Sequence, residues 1–212
     1  MGEGAGPRSV GWLQAERGEL AAEHILDAAA RLFVERGVAA TGMGDVARAA
    51  GCSRATLYRY FGSRDELRTA YVHRAAQRLG AEVAHGATGD HSPEDRLVAA
   101  MLDAIARVRS DPTLAAWFAP GDSAVASSAA RSSAVIETMV AAFLGDAADA
   151  ETRLRARWVV RVVVSLLSLP GADGDDERVM LERFVAPVVL AAQPGVAASA
   201  SRTSSPPDPA ER

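Results

Sequence analysis

The sequence predicts an all-α fold with a small N-terminal helical domain and a larger C-terminal helical domain. Apolar residues recur at helical spacing from Leu20 onwards, and no segment alternates convincingly between apolar and polar residues as a half-buried strand does. Gly or Pro stands at the end of several periodic segments. The chain has 212 residues, of which 49% are hydrophobic, so it is long enough and apolar enough to bury a sizeable core.

Four helices are predicted in the N-terminal part. The first helix ends at Gly37, which can adopt the left-handed backbone of a C-terminal cap. Its apolar face consists of Ile25, Ala28, Ala29, Leu32 and Phe33. Thr41 is expected to cap a short second helix, and Ser53 to open a third. The spacing Ser63–Glu66 forms a capping box for a fourth helix, which continues to about residue 84.

Composition divides the chain into four parts. Residues 1–19 are Gly-rich and aperiodic, which predicts a flexible N-terminal arm, and residues 194–212 are rich in Ser, Pro and Ala, which predicts a disordered tail. A polar stretch from His85 to Ser92 follows the fourth helix. We therefore expect a first domain at residues 20–67 and a second at residues 68–193.

Four helices are predicted in the second domain. They run from Ser92–Pro93 to Asp111–Pro112, from about Ser123 to Leu144, from Ala150 to Leu169, and from about Glu177 to Ala192 with a kink at Pro187. The third contains the β-branched run "VVRVVV", whose propensity favours a strand. A segment of about twenty residues is nevertheless typical of a helix, so length decides for a helix.

Charge and composition restrict the function. The net charge is −4, yet residues 20–80 carry nine Arg against six acids, and no acid lies between Val46 and Arg64. This basic segment indicates an anionic partner. All 23 basic residues are Arg, and the absence of Lys excludes a phosphate-binding loop of the Walker type.

The sequence favours a cytoplasmic protein without a membrane partner. Cys52 is the only Cys, which rules out an internal disulfide and fits a reducing compartment. The N-terminus lacks the apolar run of a secretory signal. The longest apolar run is too short to span a bilayer and contains Arg161.

The second and third helices form a predicted helix-turn-helix, in which Gly51 supplies the tight turn. Cys52, Leu57 and Phe61 fall where the pair must pack on the first helix. The remaining faces present side chains suited to a DNA groove, because Arg binds guanine or phosphate and Tyr donates to phosphate. These residues are Arg54, Ala55, Thr56, Tyr58, Arg59 and Tyr60.

The segment "ILDAAARLFVERGVAATGMGDVARAAGCSRATLYRYFGSRDEL" resembles the N-terminal domain of the TetR family of one-component transcriptional regulators. The resemblance implies an all-helical homodimer that binds a near-palindromic double-stranded DNA operator, usually as a repressor. A small molecule bound in the C-terminal domain would release it. By position, the resemblance implies DNA contacts at Thr41, Arg54, Ala55, Thr56, Tyr58, Arg59, Tyr60 and Arg64, the last in a place usually held by Lys.

The C-terminal domain has no readable motif, so its sites are predicted from large side chains on amphipathic helices. We expect an apolar cavity for a small apolar or amphipathic effector. Its predicted lining is Met101, Trp117, Phe118, Met139 and Phe143. The segment from Trp158 to Leu169 is apolar nearly all round, which indicates burial on both sides and a four-helix dimer interface. That interface is predicted to include Trp158, Val162, Leu166, Leu181, Phe184 and Val188.

Other functions fit the residues less well. A drug- or lipid-sequestering helical protein without DNA binding remains an alternative. The stretch "GMGDVA" at residues 42–47 matches a dinucleotide-binding fingerprint, but that site requires a preceding strand. His85, Asp90 and His91 lack the further ligands of a metal site. No catalytic set has a defensible spacing, so we expect neither an enzyme nor a cofactor.

Overall fold

The computed structural model describes residues 8–86 and 92–191, and every regular element in these ranges is a helix. The N-terminal helices are α1 (Arg8–Arg36), α2 (Met43–Ala49), α3 (Arg54–Tyr60) and α4 (Arg64–Gly86). The remaining helices are α5 (Pro93–Ser110), α6 (Pro112–Ala115), α7 (Ser123–Ser132), α8 (Ala134–Leu144), α9 (Ala150–Ser168), α10 (Gly174–Phe184) and α11 (Ala186–Leu190), with a 3₁₀ turn at Ala116–Phe118. The predicted all-α fold is confirmed.

The N-terminal arm differs from the prediction, because α1 already begins at Arg8. Apolar periodicity reports burial, and Glu16, Arg17 and Glu19 are exposed in the structure, so the periodic signal starts only where α1 meets the core. Good helix formers such as Leu, Gln, Ala and Glu account for the extension. The predicted tail at residues 194–212 lies outside the described residues.

Two predicted helices are each divided in the structure. The segment expected to run from Ser123 to Leu144 breaks at Ser133, whose hydroxyl accepts a hydrogen bond from the Ile136 amide (3.2 Å) and caps α8. The last helix breaks at Val185, because Pro187 stands in the first turn of α11, where its missing N–H costs nothing.

The N-terminal core extends into the second domain. Phe33 of α1 packs edge-to-face on Tyr71 of α4 and on Trp117, with ring centroids 5.3 Å apart in both pairs. Tyr71 and Trp117 are stacked, with centroids 5.6 Å apart and planes 5° apart. Trp117, which lies in the 3₁₀ turn, therefore belongs to the same hydrophobic cluster as the helix-turn-helix.

A charge pair joins α5 to the start of α10 in the second core. Both terminal nitrogens of Arg109 donate to the Glu177 carboxylate, at 2.6 and 2.9 Å, and the Gly171 amide donates to the same carboxylate at 3.0 Å. The Glu177 side chain is 3% exposed. Hydrogen bonds from Arg109 lower the pKa of the Glu177 carboxyl.

This pair predicts acid sensitivity. Because the pKa of Glu177 is lower in the folded protein than in the unfolded chain (about 4.3), its contribution is full above that value and is lost as pH falls through it toward the folded pKa. Glu177→Gln is expected to lower the free energy of unfolding by about 1–3 kcal/mol at pH 7 and to flatten its decline below about pH 5. Urea unfolding at several pH values tests this, and parallel pH profiles for the two proteins would contradict it.

Candidate nucleic-acid interface and ligand cavity

The helix-turn-helix is built by α2 and α3. Gly51 has a φ of +65°, as the turn requires, and the Cys52 amide donates to the Ala47 carbonyl at 3.0 Å. The Ser53 hydroxyl accepts from the Thr56 amide at 3.0 Å, which confirms Ser53 as the cap of α3. Leu57 is fully buried and fixes α3 against the core.

The structure turns most of the predicted contact residues of α3 outward. Tyr58 is 50% exposed, while Arg54, Ala55 and Arg59 are also exposed. Thr56 and Tyr60 are half-buried. Leu57 and Phe61 occupy the opposite face and are buried, as predicted. Helix α3 therefore presents an arginine and tyrosine surface in which Arg54, Tyr58 and Arg59 lie outside the core, while Tyr60 packs partly against it.

The charges of this surface are free for a ligand. Among the described residues, neither Arg54 nor Arg59 makes an ion pair, and the Arg59 guanidinium lies 5.4 Å from the centre of the Tyr60 ring. Gly44 gives Arg54 room to lie across α2, because a Cβ at position 44 would come within 2.5 Å of the Arg54 Nη2 atom. Arg64 is exposed and donates to the Ala39 carbonyl at 3.3 Å.

The structure corrects one predicted DNA contact, Thr41. Its side chain is buried, and its hydroxyl donates to the Gly37 carbonyl at 2.8 Å, with the Leu32 carbonyl 3.3 Å away. Gly42, not Thr41, is the residue before α2, and it provides no side-chain cap. The Thr41 hydroxyl therefore ties the segment after α1 back to the end of that helix.

An apolar cavity of about 730 Å³ lies in the second domain, between α4, α5, α7, α8, α9 and the 3₁₀ turn. All five residues predicted for the cavity line it: Met101, Trp117, Phe118, Met139 and Phe143. Sequence reasoning missed the wall contributed by α4, including Gln77 and Gly80, because it selected only large apolar side chains. The Met139 methyl packs directly on Gly80, so a Cβ there would require the Met139 side chain to shift. None of the described lining residues is charged.

An exposed apolar face runs along α9, α10 and α11. Trp158 is 46% exposed, Phe184 68% and Val188 64%, and Leu154 and Val179 extend the same set of exposed side chains. The prediction that the segment from Trp158 onwards is buried on both sides is therefore not met within one chain.

Two residues predicted for the dimer interface lie in the core of their own chain instead. Leu166 and Leu181 are 8% and 0% exposed and fill the core of their own chain, so they have no side chain left for a partner. Val162 is half-buried and packs against the same core. Apolar spacing identified these helices but did not separate their inner faces from their outer faces.

The rival sites find no support in the geometry. Residues 42–47 follow α1 and a turn, not a strand, which contradicts the dinucleotide fingerprint. Asp90 and His91 lie outside the described residues, and the described part of the chain holds no cluster of three metal-ligating side chains. None of the helices in residues 8–86 and 92–191 combines the length and apolar character needed to cross a bilayer.

Residues 25–71 match the family model described as "Bacterial regulatory proteins, tetR family". An HTH-type transcriptional regulator of Mycobacterium tuberculosis, Rv1255c, is 49% identical over 184 residues, which cover 85% of this chain and 91% of the relative. The chain belongs to the TetR family. Members of the TetR family are DNA-binding transcriptional regulators, not enzymes, and they bind operators as dimers.

Two further relatives share the name AlkX. The HTH-type transcriptional regulator AlkX of Mycobacterium tuberculosis is 29% identical over 184 residues, which cover 78% of this chain and 83% of the relative. The crystal structure of the repressor AlkX from Dietzia sp. is 25% identical, with a TM-score of 0.54 over 78% of this chain and 93% of that one. The similarity to both extends well beyond the helix-turn-helix.

The exposed side chains of α3 predict the effect of substitution in this TetR-family protein. Arg59→Ala is expected to weaken DNA binding by about tenfold to a hundredfold, the loss of one charged contact, and Tyr58→Phe by a smaller factor. Neither should shift the urea midpoint, because both side chains are outside the core.

Gel-shift titration on a selected DNA fragment measures these effects. Arg96→Ala is the matched control, because Arg96 is an exposed Arg of α5 with no ion pair among the described residues. Unchanged affinity in both α3 variants would remove the contact assignment.

Proposed function

We propose that this protein is a ligand-responsive repressor that binds a palindromic operator as a homodimer and is released by a small, largely apolar effector. The observation that carries the proposal is the presence, in one chain, of an outward arginine and tyrosine surface on α3 and a large apolar cavity in the second domain. The α3 surface suits DNA and the cavity suits a small molecule. A ligand-responsive regulator needs both features.

DNA recognition is assigned to α3 and its flanks. In a dimer, two copies of α3 about 34–36 Å apart enter successive major grooves on one face of the duplex. Arg54 and Arg59 bind guanine or phosphate, and Tyr58 and Tyr60 donate to phosphate. Such binding places the site of action with the DNA, in the cytoplasm.

Dimerisation is assigned to the exposed apolar face of α9, α10 and α11. Several large apolar side chains exposed on neighbouring helices are costly to leave in water and indicate an interaction surface. Trp158, Phe184 and Val188 supply aromatic and aliphatic groups of the kind found at the centre of interfaces. Two such faces pack as a four-helix arrangement around a two-fold axis.

The effector is assigned to the apolar cavity. A volume of about 730 Å³ falls in the range of drug-sized ligand sites. A charged group buried there would lose its hydration without a partner among the described lining residues, which favours a neutral ligand or one whose polar end stays at the mouth. The related Dietzia repressor is implicated in biodegradation of n-alkanes, which supports a hydrocarbon-like effector.

Release follows from a difference in affinity. An effector that binds more tightly to a conformation with another α3 spacing shifts the population toward it and lowers operator affinity. Coupling of this kind is worth about 1–3 kcal/mol, or about 5-fold to 150-fold in affinity.

The test starts with selection of bound fragments from sheared genomic DNA, followed by gel shift. We then add N-phenyl-1-naphthylamine, a neutral apolar fluorophore, as a probe of the cavity. The expected results are an enriched fragment, a rise in probe fluorescence and loss of the shifted band. No enriched fragment, together with probe binding, would favour a sequestering protein that does not bind DNA.

A further inference from the structure

Asp122 stands at the start of α7 but does not cap it. An Asp in this position ordinarily accepts a hydrogen bond from an amide in the first turn of its own helix. Asp122 makes no such bond, although Asp111, Asp149 and Asp173 do so at the starts of their helices. Its carboxylate is directed instead at a segment more than eighty residues earlier in the chain.

The Asp122 carboxylate binds the turn between α1 and α2. Its two oxygens accept hydrogen bonds from the amides of Val38 (3.1 Å) and Ala39 (2.7 Å). Asp122 is 7% exposed and Val38 is fully buried, so the bond to Val38 is shielded from water, while the bond to Ala39 is partly buried. Gly37 has a φ of +83°, and a Cβ there would lie 2.8 Å from the carboxylate, so the turn is shaped around Asp122.

Helix α4 holds the other side of the same turn. The Arg68 Nη2 atom donates to the Val38 carbonyl at 2.6 Å, and Arg68 is also 7% exposed. The Val38 residue is thereby fixed by a carboxylate at its amide and a guanidinium at its carbonyl. This turn leads directly to α2, so its position helps to set the position of the helix-turn-helix.

Asp122 lies between two stretches of the cavity wall. Trp117 and Phe118 line the cavity on its N-terminal side, and Ala126 and Ala130 of α7 line it on the C-terminal side. A ligand that moves the 3₁₀ turn or α7 therefore also moves Asp122, which binds the α1–α2 turn of the DNA-binding domain.

We propose that Asp122 is the positioning residue through which occupancy of the cavity reaches the helix-turn-helix, by way of the Val38 and Ala39 amides. The proposal rests on the proposed effector response. Asp122 does not cap α7, and its carboxylate instead accepts two hydrogen bonds from the α1–α2 turn. Without the carboxylate, the cavity wall and the turn move independently, and the response to the effector weakens.

The experiment is a double-mutant cycle on operator affinity. Ala104→Phe places a ring in the cavity from α5 and imitates an occupied state without an identified effector. On the selected DNA fragment, Ala104→Phe is expected to weaken binding by about tenfold with Asp122 present, and by less than about threefold in the Asp122→Asn background. An equal factor in both backgrounds would overturn the proposal.

Matched variants separate coupling from simple loss of structure. Asp149→Asn also neutralises an N-cap Asp, but Asp149 caps its own helix. In that background, Ala104→Phe should therefore still weaken operator binding by about tenfold. Asp122→Glu keeps the charge and displaces the carboxylate, and it should reduce the factor as Asp122→Asn does. Circular dichroism and urea unfolding confirm that each variant is folded.

Failure of the proposed function gives a different result. If neither Ala104→Phe nor N-phenyl-1-naphthylamine changes operator affinity in the Asp122 protein, the effector response is wrong and the coupling proposal falls with it. If both change the affinity and Asp122→Asn leaves the change intact, only the coupling proposal is wrong.

Discussion

Trp117→Ala is expected to lower the free energy of unfolding by about 3–5 kcal/mol, the range for removing a buried Trp or Phe side chain. Trp117 is 3% exposed, stacks on Tyr71 and meets the edge of Phe33, so its removal empties a site shared by α1, α4 and the 3₁₀ turn. Because these contacts join the two domains, the surrounding side chains cannot all close on the space.

Urea unfolding followed by circular dichroism measures this loss. Trp117→Phe serves as the control, since a smaller ring keeps part of both aromatic contacts and should cost clearly less than Ala. A loss below about 1 kcal/mol for Trp117→Ala, the size of an ordinary surface substitution or little more, would show that Trp117 does not join the domains.

Trp158→Glu combined with Phe184→Glu is expected to give a folded monomer that binds operator about a hundredfold or more weakly. Both side chains are exposed in the single chain, so charge there should leave the fold intact. In a dimer they are desolvated, and two facing carboxylates per chain would repel. A monomer also loses the gain of joining two half-sites, which is worth about 10²–10⁴ in affinity.

Size-exclusion chromatography with light scattering and gel shift test the second prediction. Leu20→Glu is the matched control, because Leu20 is a 66% exposed apolar residue on α1, outside the proposed interface. A double variant that remains dimeric would show that the dimer interface lies elsewhere. A monomer with undiminished operator affinity would contradict dimeric recognition.

Local signals predicted the helix-turn-helix well. The Gly51 turn, the Ser53 cap and the inward positions of Leu57 and Phe61 depend on neighbours within a few residues, and the structure confirms each. The five side chains predicted for the cavity do line it, but the wall contributed by α4 was not predicted.

Contacts distant in sequence could not be predicted in the same way. Thr41 looked like a cap for α2, but its hydroxyl turns back to α1. Leu166 and Leu181 share helices with Trp158 and Phe184, and only packing shows that the first two face inward. The Asp122 contact to Val38 spans 84 residues and leaves no periodic or motif signal.

Hydroxyl-radical footprinting of the selected DNA fragment tests the central claim most directly, namely that two outward α3 surfaces bind one face of a duplex. The expected result is two protected tracts on one face, centred about 10 base pairs apart, both absent with Arg59→Ala at the same protein concentration. A single tract, or two tracts that Arg59→Ala leaves unchanged, would contradict it.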